Sequence, residues 1–564
     1  MSSNGEISVA DQLYSLRSAK GYPLRKGRNP DEDPAYPGHG YEKKLIAPGV
    51  IFERDVAMQL RDGTTIYLDI FRPDDDSTHP VLLGWAPFGK HPHVDWDRDF
   101  PGADIPPGNS NFTAFEAVDP LVWVPWGYVV VNADARGTRY SEGISQFMTE
   151  QEGLDEYDCI EWLATQPWST GKLATMGVSY LAMSAYQVAA LKPPHLTAVV
   201  LFEALNDFYR DVKFHGGIPS FNICHGWMKK VGWSRFAVED IEAGMREHQL
   251  YDEYWTDRVA DLSKFDVPVY AVSSWANQGI HTRGTMQAWD EISSQERWLD
   301  LNARKEWAYF YERETNLRMK AFCDKFLLGD ESAIADWDPV RVEIREAYGT
   351  SYHRAELEYP MARTEYTPLF LNAESGLLSR ERPEVESATT YDARSGSATF
   401  DFTFDERTEV IGPAALRVWI SPQGSDDADI FVGLKKFDAH GKEVHFEYLG
   451  FFNFGIVAMG WLRMSHRALD PLRSRPEKPF PTHTREDFVY NDSPVYMEIP
   501  ILDSGTVFNA GERIQLVIQG HDIIQGAGMF PLHTENRNKG KHGIHTGAQF
   551  ESSLLLPVVP EPRL

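Results

Sequence analysis

Short apolar strands alternate with helical segments over the first half of the chain, and this alternation constrains the fold most strongly. The apolar strands read VAMQL, TTIYLDIFRP, VLLGWAP and YVVVNADARG, and later KLATMGVSY and LTAVVLFEAL. Between them, Gly153 to Thr165 has apolar residues at helical spacing and stops before Pro167. A repeating strand–helix order with apolar strands predicts a largely parallel sheet that helices cover on both faces.

The rhythm changes at three places, which predicts further domains in a chain of 564 residues. Residues 1–45 are polar and rich in proline and glycine, as in an extended N-terminal arm. Residues 206–262 are aromatic, charged and helix-forming, so we expect a helical cap inserted between 46–205 and 263–335. From about Asp336 onward, strands such as ATFDFTF and RIQLVIQG predict a C-terminal β-sandwich over 336–564.

Composition excludes several classes of protein and partner. Apolar residues make up 42% and charged residues 24%, as in ordinary globular proteins, and no apolar run approaches a membrane span. The net charge of -28 would repel nucleic acid and anionic membranes. The chain opens without a basic head and apolar stretch, so we expect a cytoplasmic protein. Cys159, Cys224 and Cys323 form no metal or disulfide pattern and are expected to be buried thiols.

Ser179 stands between a strand and a helix in the string KLATMGVSYLAMSAYQVAAL. A nucleophilic serine at such a turn exposes its oxygen in front of a helix N-terminus and needs small neighbours. Gly177 provides one, but Leu181 stands at the last position of the G-x-S-x-G pattern. The alternative is that Ser179 only caps the helix. The preceding strand–helix order favours the nucleophile.

The strings VVVNADARGTRYSEG, IEWLATQPWSTGKLATMGVSYLA, FCDKFLLGD and FNAGERIQLVIQGHD carry a family likeness. With them the sequence resembles the serine hydrolases grouped with cocaine esterase, α-amino acid ester hydrolases and X-Pro dipeptidyl-peptidases. The resemblance implies an α/β-hydrolase domain, a helical cap between its sixth and seventh strands, and an all-β, jelly-roll-like C-terminal domain. It also implies hydrolysis of a small-molecule ester or amide without metal or organic cofactor, and a homodimer is a family-level expectation.

The resemblance assigns Ser179 as nucleophile and the Tyr180 N–H as an oxyanion donor, but three other positions differ from the family. Phe88 stands where a tyrosine is common, Asn277 where the catalytic aspartate is expected, and Asn302 where our matching places the histidine. An asparagine cannot act as a general base near neutral pH. We therefore expect Phe88, Asn277 and Asn302 to contact substrate.

Another group must accept the proton if Ser179 is to react. His281 follows Asn277 by four residues at the start of a predicted helix, and it is the leading candidate base, with structural packing as the alternative. His91 and His93 are weaker candidates. Asp134 and Arg136 are expected to form a buried ion pair.

Three functions remain open from the sequence. The first is a serine hydrolase of a small hydrophobic ester or amide with a non-standard base. The second is a repurposed scaffold that catalyses a cyclisation, elimination or isomerisation. The third is a pseudoenzyme that only binds its ligand.

Overall fold

The computed structural model describes residues 16–92, 94–526 and 531–560, and a mixed sheet forms its centre. The strand Thr65–Pro73 is antiparallel to both of its neighbours, and the strands from Val129–Asp134 to Val340–Ala347 are parallel. In spatial order the strands are Glu42–Ala47, Val50–Gln59, Thr65–Pro73, Val129–Asp134, His79–Ala86, Ser169–Val178, Leu196–Phe202, Val269–Ser274, Arg297–Asn302 and Val340–Ala347. The largely parallel sheet predicted from the sequence is confirmed.

Helices fill the connections between the parallel strands. The helix predicted over Gly153 to Thr165 spans Glu150–Ala164, and it begins earlier because the Thr149 side chain caps it by accepting from the Glu152 N–H. Its buried face packs against the sheet, as an amphipathic helix requires. The helices of this part of the chain are Trp96–Asp99, Pro120–Trp123, Glu150–Ala164, Tyr180–Ala190, Thr282–Glu291, Glu306–Tyr311 and Arg313–Cys323.

The chain between the strands Leu196–Phe202 and Val269–Ser274 folds over one end of the sheet as a cap. Its elements are a π-helical turn at Tyr209–Lys213 and the helices Phe221–Val231, Ile241–Glu247 and Glu253–Thr256. The strand Leu24–Lys26 near the start of the chain pairs antiparallel with Ala237–Glu239 of the cap. The described residues of the N-terminal arm thus contact the cap through this strand pairing.

Beyond Val340–Ala347 the chain builds an antiparallel β domain with its own apolar cluster. One set of pairings centres on Thr408–Gln423 and another on Asp429–Phe437. The strands are Thr350–Glu356, Glu365–Asn372, Leu377–Ser379, Ser387–Asp392, Ser397–Thr403, Thr408–Gln423, Asp429–Phe437, Glu443–Val444, Phe446–Tyr448, Phe452–Gly455, Ala458–Arg463, Val495–Phe508, Arg513–Gln519, Lys541–Thr546 and Ser553–Val559. The jelly-roll topology stays a prediction.

The predicted ion pair between Asp134 and Arg136 is wrong. The strand ends at Asp134, and Arg136 lies in the following turn, from which its Nε reaches Asp155 of the next helix at 2.6 Å. The three cysteines are free and buried, as expected. No helix among the described residues is long and apolar enough to cross a membrane.

Asp134 belongs instead to a buried charge cluster around Lys90, in the loop that follows the strand His79–Ala86. Lys90 Nζ lies 2.5 Å from Asp55, 3.2 Å from Asp69 and 3.7 Å from Asp134. His91 Nδ1 lies 2.7 Å from Asp69. The cluster ties this loop, which also carries Phe88, to the strands that bear the aspartates.

We predict that Lys90→Met lowers the free energy of unfolding by about 3–5 kcal/mol, because it leaves buried carboxylates without a cation. Lys192→Met is the matched control. Lys192 pairs with Asp266 at 2.7 Å on the surface, where side-chain exposures are 48% and 59%, so its loss should change stability by less than about 1 kcal/mol. Urea unfolding followed by tryptophan fluorescence measures both. Equal midpoints for the two variants would contradict the structural role of the cluster.

Candidate active site

Ser179 joins the strand Ser169–Val178 to the helix Tyr180–Ala190 in a strained conformation, with φ 56° and ψ -118°. Such backbone angles cost a non-glycine residue about 1–3 kcal/mol and persist only where the surroundings enforce them. The Ser179 N–H donates to the Phe202 carbonyl at 3.0 Å, and its own carbonyl accepts from the Met183 N–H at 2.9 Å. The side chain makes no capping hydrogen bond to the helix. The Ser179 hydroxyl therefore does not cap the helix, which was the alternative to its being the nucleophile.

Leu181 explains why the last glycine of the G-x-S-x-G pattern is absent. A Cβ on Gly177 would lie 2.5 Å from the Leu181 Cβ, and a Cβ on Gly84 would lie 3.1 Å from the Leu181 Cδ2. The leucine fits because glycines occupy both facing positions. The space for the Leu181 side chain at the elbow is therefore provided by Gly177 and Gly84.

A cavity of about 280 Å³ opens in front of Ser179. The sheet domain, the cap and the β domain all contribute to its wall, which is mainly aromatic and aliphatic. Its lining residues are Phe88, Phe100, Phe115, Glu116, Ser179, Tyr180, Met183, Leu205, Phe208, Val212, Lys213, Ile223, Gly226, Trp227, Lys230, Ile280, His281, Glu306, Trp307, Leu449, Gly450 and Phe451.

The structure brings four of the six predicted site residues to this cavity, namely Phe88, Ser179, Tyr180 and His281. Asn302 is not among the lining residues. Its Nδ2 donates to the Ser273 carbonyl at 2.9 Å and its Oδ1 accepts from the Arg304 N–H at 3.0 Å, so both polar groups are engaged at the strand end. Asn277 is also absent from the lining, and it contacts the lining residue Glu306.

The two other histidine candidates stand apart from the cavity. His91 belongs to the Lys90 cluster, where its Nδ1 contacts Asp69. His93 lies outside the described residues.

Glu306 is a cavity residue that was not predicted from the sequence. It begins the helix Glu306–Tyr311, four residues after Asn302. Asn277 Nδ2 donates to Glu306 Oε2 at 2.8 Å, and His281 Nε2 lies 3.6 Å from Glu306 Oε1. Within the described residues Oε1 has no hydrogen-bond partner. The available signal was the carboxyl side chain in LNARKEW, the segment in which the resemblance places a histidine.

Burial sets the protonation of the groups around Ser179. It raises the pKa of Glu306 to about 8, opposed by the Asn277 hydrogen bond and by the charge of Lys230. It raises the pKa of Glu116 well above the usual range, with repulsion from Glu306 adding to the effect. It lowers the pKa of His281 to about 3. Near neutral pH, His281 is therefore uncharged, and Glu306 is the cavity carboxyl closest to ionising.

Tyr180 contributes through its backbone. It is the first residue of its helix, so its N–H lies among those left without an intrahelical acceptor. Its hydroxyl is buried away from solvent and donates to Glu152 Oε2 at 2.7 Å, which anchors the elbow to the neighbouring helix. The Phe88 ring at the cavity wall has no O–H to offer as a second oxyanion donor.

One group of side chains has the ligand types of a metal site. Atoms of Asp55, Asp69 and His91 lie within 4.8 Å of one another. Lys90 Nζ, however, contacts both aspartates and lies 2.9 Å from His91 Nε2. The ammonium already supplies the positive charge there, so the arrangement does not fit a metal ion.

Comparisons with known proteins find related families and structures that cover most of the chain. The family model for X-Pro dipeptidyl-peptidase (S15 family) matches residues 62–240, and that for the X-Pro dipeptidyl-peptidase C-terminal non-catalytic domain matches residues 334–555. A solved CocE/NonD family hydrolase from Staphylococcus aureus is 36% identical with a TM-score of 0.88, covering 94% of this chain and 98% of that chain.

Two further relatives are more distant. A solved α-amino acid ester hydrolase has a TM-score of 0.71 at 16% identity, covering 93% of this chain and 99% of that chain, which shows the shared fold alone. Cocaine esterase from Rhodococcus sp. is 24% identical over 407 residues, or 60% of this chain and 66% of the esterase. That alignment spans just under two thirds of the esterase's length.

Proposed function

The chain belongs to the CocE/NonD family of hydrolases, and from this premise we propose that it hydrolyses a small, largely apolar ester or amide through an acyl-enzyme on Ser179. The observation that carries the proposal is the strained Ser179 in a cavity that also holds the buried carboxyl group of Glu306. The aromatic wall favours an apolar acyl or alcohol group. The non-hydrolytic and binding-only alternatives gain no support from the relatives.

In the proposed reaction Glu306 is the general base. Its carboxylate takes the proton of Ser179 as Oγ attacks the carbonyl carbon, and the Tyr180 N–H stabilises the oxyanion. Protonated Glu306 then returns the proton to the leaving alkoxide or amine as the scissile bond breaks. A water molecule, deprotonated by Glu306, attacks the acyl-enzyme, which releases the acid and restores the serine hydroxyl.

The Asn277–Glu306 pair supports this assignment because its hydrogen bond has the polarity a carboxylate base needs. An aspartate at position 277 would be an acceptor and would suit an imidazole. Asn277 is instead a donor through Nδ2, which orients Glu306 and favours its ionised form. The amide donor of Asn277 and the carboxyl group of Glu306 are thus compatible with each other as a pair.

We assign His281 a supporting position beside Glu306 rather than the role of base predicted from the sequence. An imidazole with a pKa of about 3 is a weak proton acceptor. Its Nδ1 is buried and has no hydrogen-bond partner within the described residues. Its Nε2 faces Glu306 Oε1 and can serve as a second donor to the carboxylate.

A fluorophosphonate probe, which needs an activated serine, should label Ser179 in the wild-type protein and label nothing in Ser179→Ala. Glu306→Gln should slow the labelling by about 100-fold or more, because it removes the general base. Glu314→Gln, on the exposed face of the helix Arg313–Cys323, is the control and should label at the wild-type rate. Intact mass and peptide mapping report the modified residue. Wild-type labelling in Glu306→Gln would refute the assignment.

The pH dependence of ester hydrolysis gives a separate prediction. Only ionised Glu306 accepts a proton, so kcat/KM for p-nitrophenyl butyrate should rise about tenfold per pH unit below pH 8 and level off above it. Burial also lowers the pKa of Lys230 to about 8, so Lys230→Met is the control. It should keep the rising limb and shift it to higher pH, because the charge of Lys230 lowers the pKa of Glu306. A limb that disappears in Lys230→Met would identify the lysine as base, and a flat profile from about pH 5 to 8 would favour His281.

A further inference from the structure

Lys213 places a buried ammonium group in the wall of the cavity without an acidic partner. Its side chain ends the π-helical turn Tyr209–Lys213 and is 1% exposed. The Nζ lies 4.5 Å from the ring centre of Phe208 and 4.8 Å from that of Trp227. Within the described residues, no carboxylate forms an ion pair with it and no group accepts a hydrogen bond from it. The two aromatic rings and the buried Cys224 thiol are the groups that surround the charge.

The other buried lysines of the described chain differ from Lys213 in this respect. Lys90 contacts Asp55 at 2.5 Å, Lys305 pairs with Asp104, and Lys436 lies 2.8 Å from Glu512. Each buried ammonium thus has a carboxylate partner, as buried charges generally require. The chain has 83 acidic side chains against 55 basic ones, so the lack of one beside Lys213 is not a consequence of composition.

Lys230 adds a second ammonium group to the same wall. It lies on the cap helix Phe221–Val231, and its Nζ is 3.8 Å from the ring centre of Phe100 and 4.1 Å from that of Phe115. Glu116, Asp99 and Glu306 influence its charge through space, although no ion pair with a described carboxylate forms. The cap therefore presents two lysines to the cavity, and of these only Lys230 has carboxylates that influence its charge.

Aromatic faces compensate a buried ammonium only partly. Burial accordingly lowers the pKa of Lys213. A carboxylate entering the cavity would supply the missing opposite charge and accept short, charge-assisted hydrogen bonds. The same carboxylate would be repelled by ionised Glu306, so it should sit beside Lys213 with the scissile bond at Ser179.

We propose that Lys213 binds a carboxylate on the substrate, so that the substrate class is an ester or amide whose apolar portion ends in a carboxylate. The identity of the scissile bond rests on the proposed function, whereas recognition of the carboxylate does not require any reaction at Ser179.

Calorimetric titration of the Ser179→Ala protein with hexanoate and hexanamide separates recognition from catalysis. The two probes differ in charge and are similar in size, and hexanoate is ionised at about pH 7. We expect hexanoate to bind at least about tenfold more tightly than hexanamide, as hydrogen bonds to charged groups imply. Lys213→Met in the same background should abolish the preference. Lys229→Met, an exposed lysine on the same helix as Lys230, should keep it.

Folding of the test variant is checked by its melting temperature. Replacing an unpaired buried ammonium by an apolar side chain of similar length should leave Tm unchanged or raise it. Lys213→Arg keeps the charge and should keep the preference for hexanoate. Equal affinity for the two probes in the Ser179→Ala protein, or an unchanged preference in Lys213→Met, would overturn the proposal.

A kinetic arm distinguishes failure of this proposal from failure of the proposed function. The substrates are the mono-p-nitrophenyl ester of adipic acid and p-nitrophenyl hexanoate, which differ in the terminal carboxylate. A higher kcat/KM for the adipate ester that is lost in Lys213→Met supports both proposals. Equal hydrolysis with no preference in binding overturns carboxylate recognition alone. Preferential binding of hexanoate through Lys213 without hydrolysis of either ester overturns the proposed function and supports carboxylate recognition.

Discussion

The hydrogen bond from Asn277 to Glu306, 2.8 Å long and buried, is the interaction on which the chemistry of the cavity depends. A carboxyl group in an apolar wall would stay protonated through the neutral range, because burial penalises its charged form. Asn277 donates to one carboxyl oxygen and leaves the other free within the described residues. Burial raises the pKa of Glu306 to about 8 against this hydrogen bond and the charge of Lys230, so the carboxylate forms at mildly alkaline pH and is a useful base there.

The rest of the fold brings Glu306 and Ser179 to the same cavity. The sheet fixes the elbow, since the Ser179 N–H is bound by the neighbouring strand and the Tyr180 hydroxyl by a helix. The cap and the β domain contribute aromatic side chains to the cavity wall, and an apolar wall strengthens the interactions between charges beside it. The titrating carboxyl of Glu306 belongs to the sheet domain and the two lysines belong to the cap, with Lys230 near enough to influence Glu306.

The sheet, the elbow and the cap could be predicted because local patterns encode them: apolar strands alternate with helices, and Gly177 precedes Ser179. The base could not be identified in this way. Asn302 stands at the end of its strand, where a matched histidine was expected, and the loop length that brings Glu306 into the cavity leaves no periodic signal. Lys213 was missed because a lysine in a charged segment resembles a solvated one. The fit of Leu181 at the elbow could not be predicted either, because it depends on contact with Gly84, which is far away in the sequence.

We propose that Asn277 and Glu306 replace an acceptor–base pair by one of opposite polarity. Exchanging both residues, in Asn277→Asp with Glu306→His, and measuring kcat/KM for p-nitrophenyl butyrate tests this replacement. Each single variant should lose activity by about 100-fold or more, because donor and acceptor no longer match. The double variant should regain activity with its pH limb near the ordinary histidine pKa of about 6.5. A double variant no more active than the single ones, or an Asn277→Asp variant with wild-type activity, would contradict the claim.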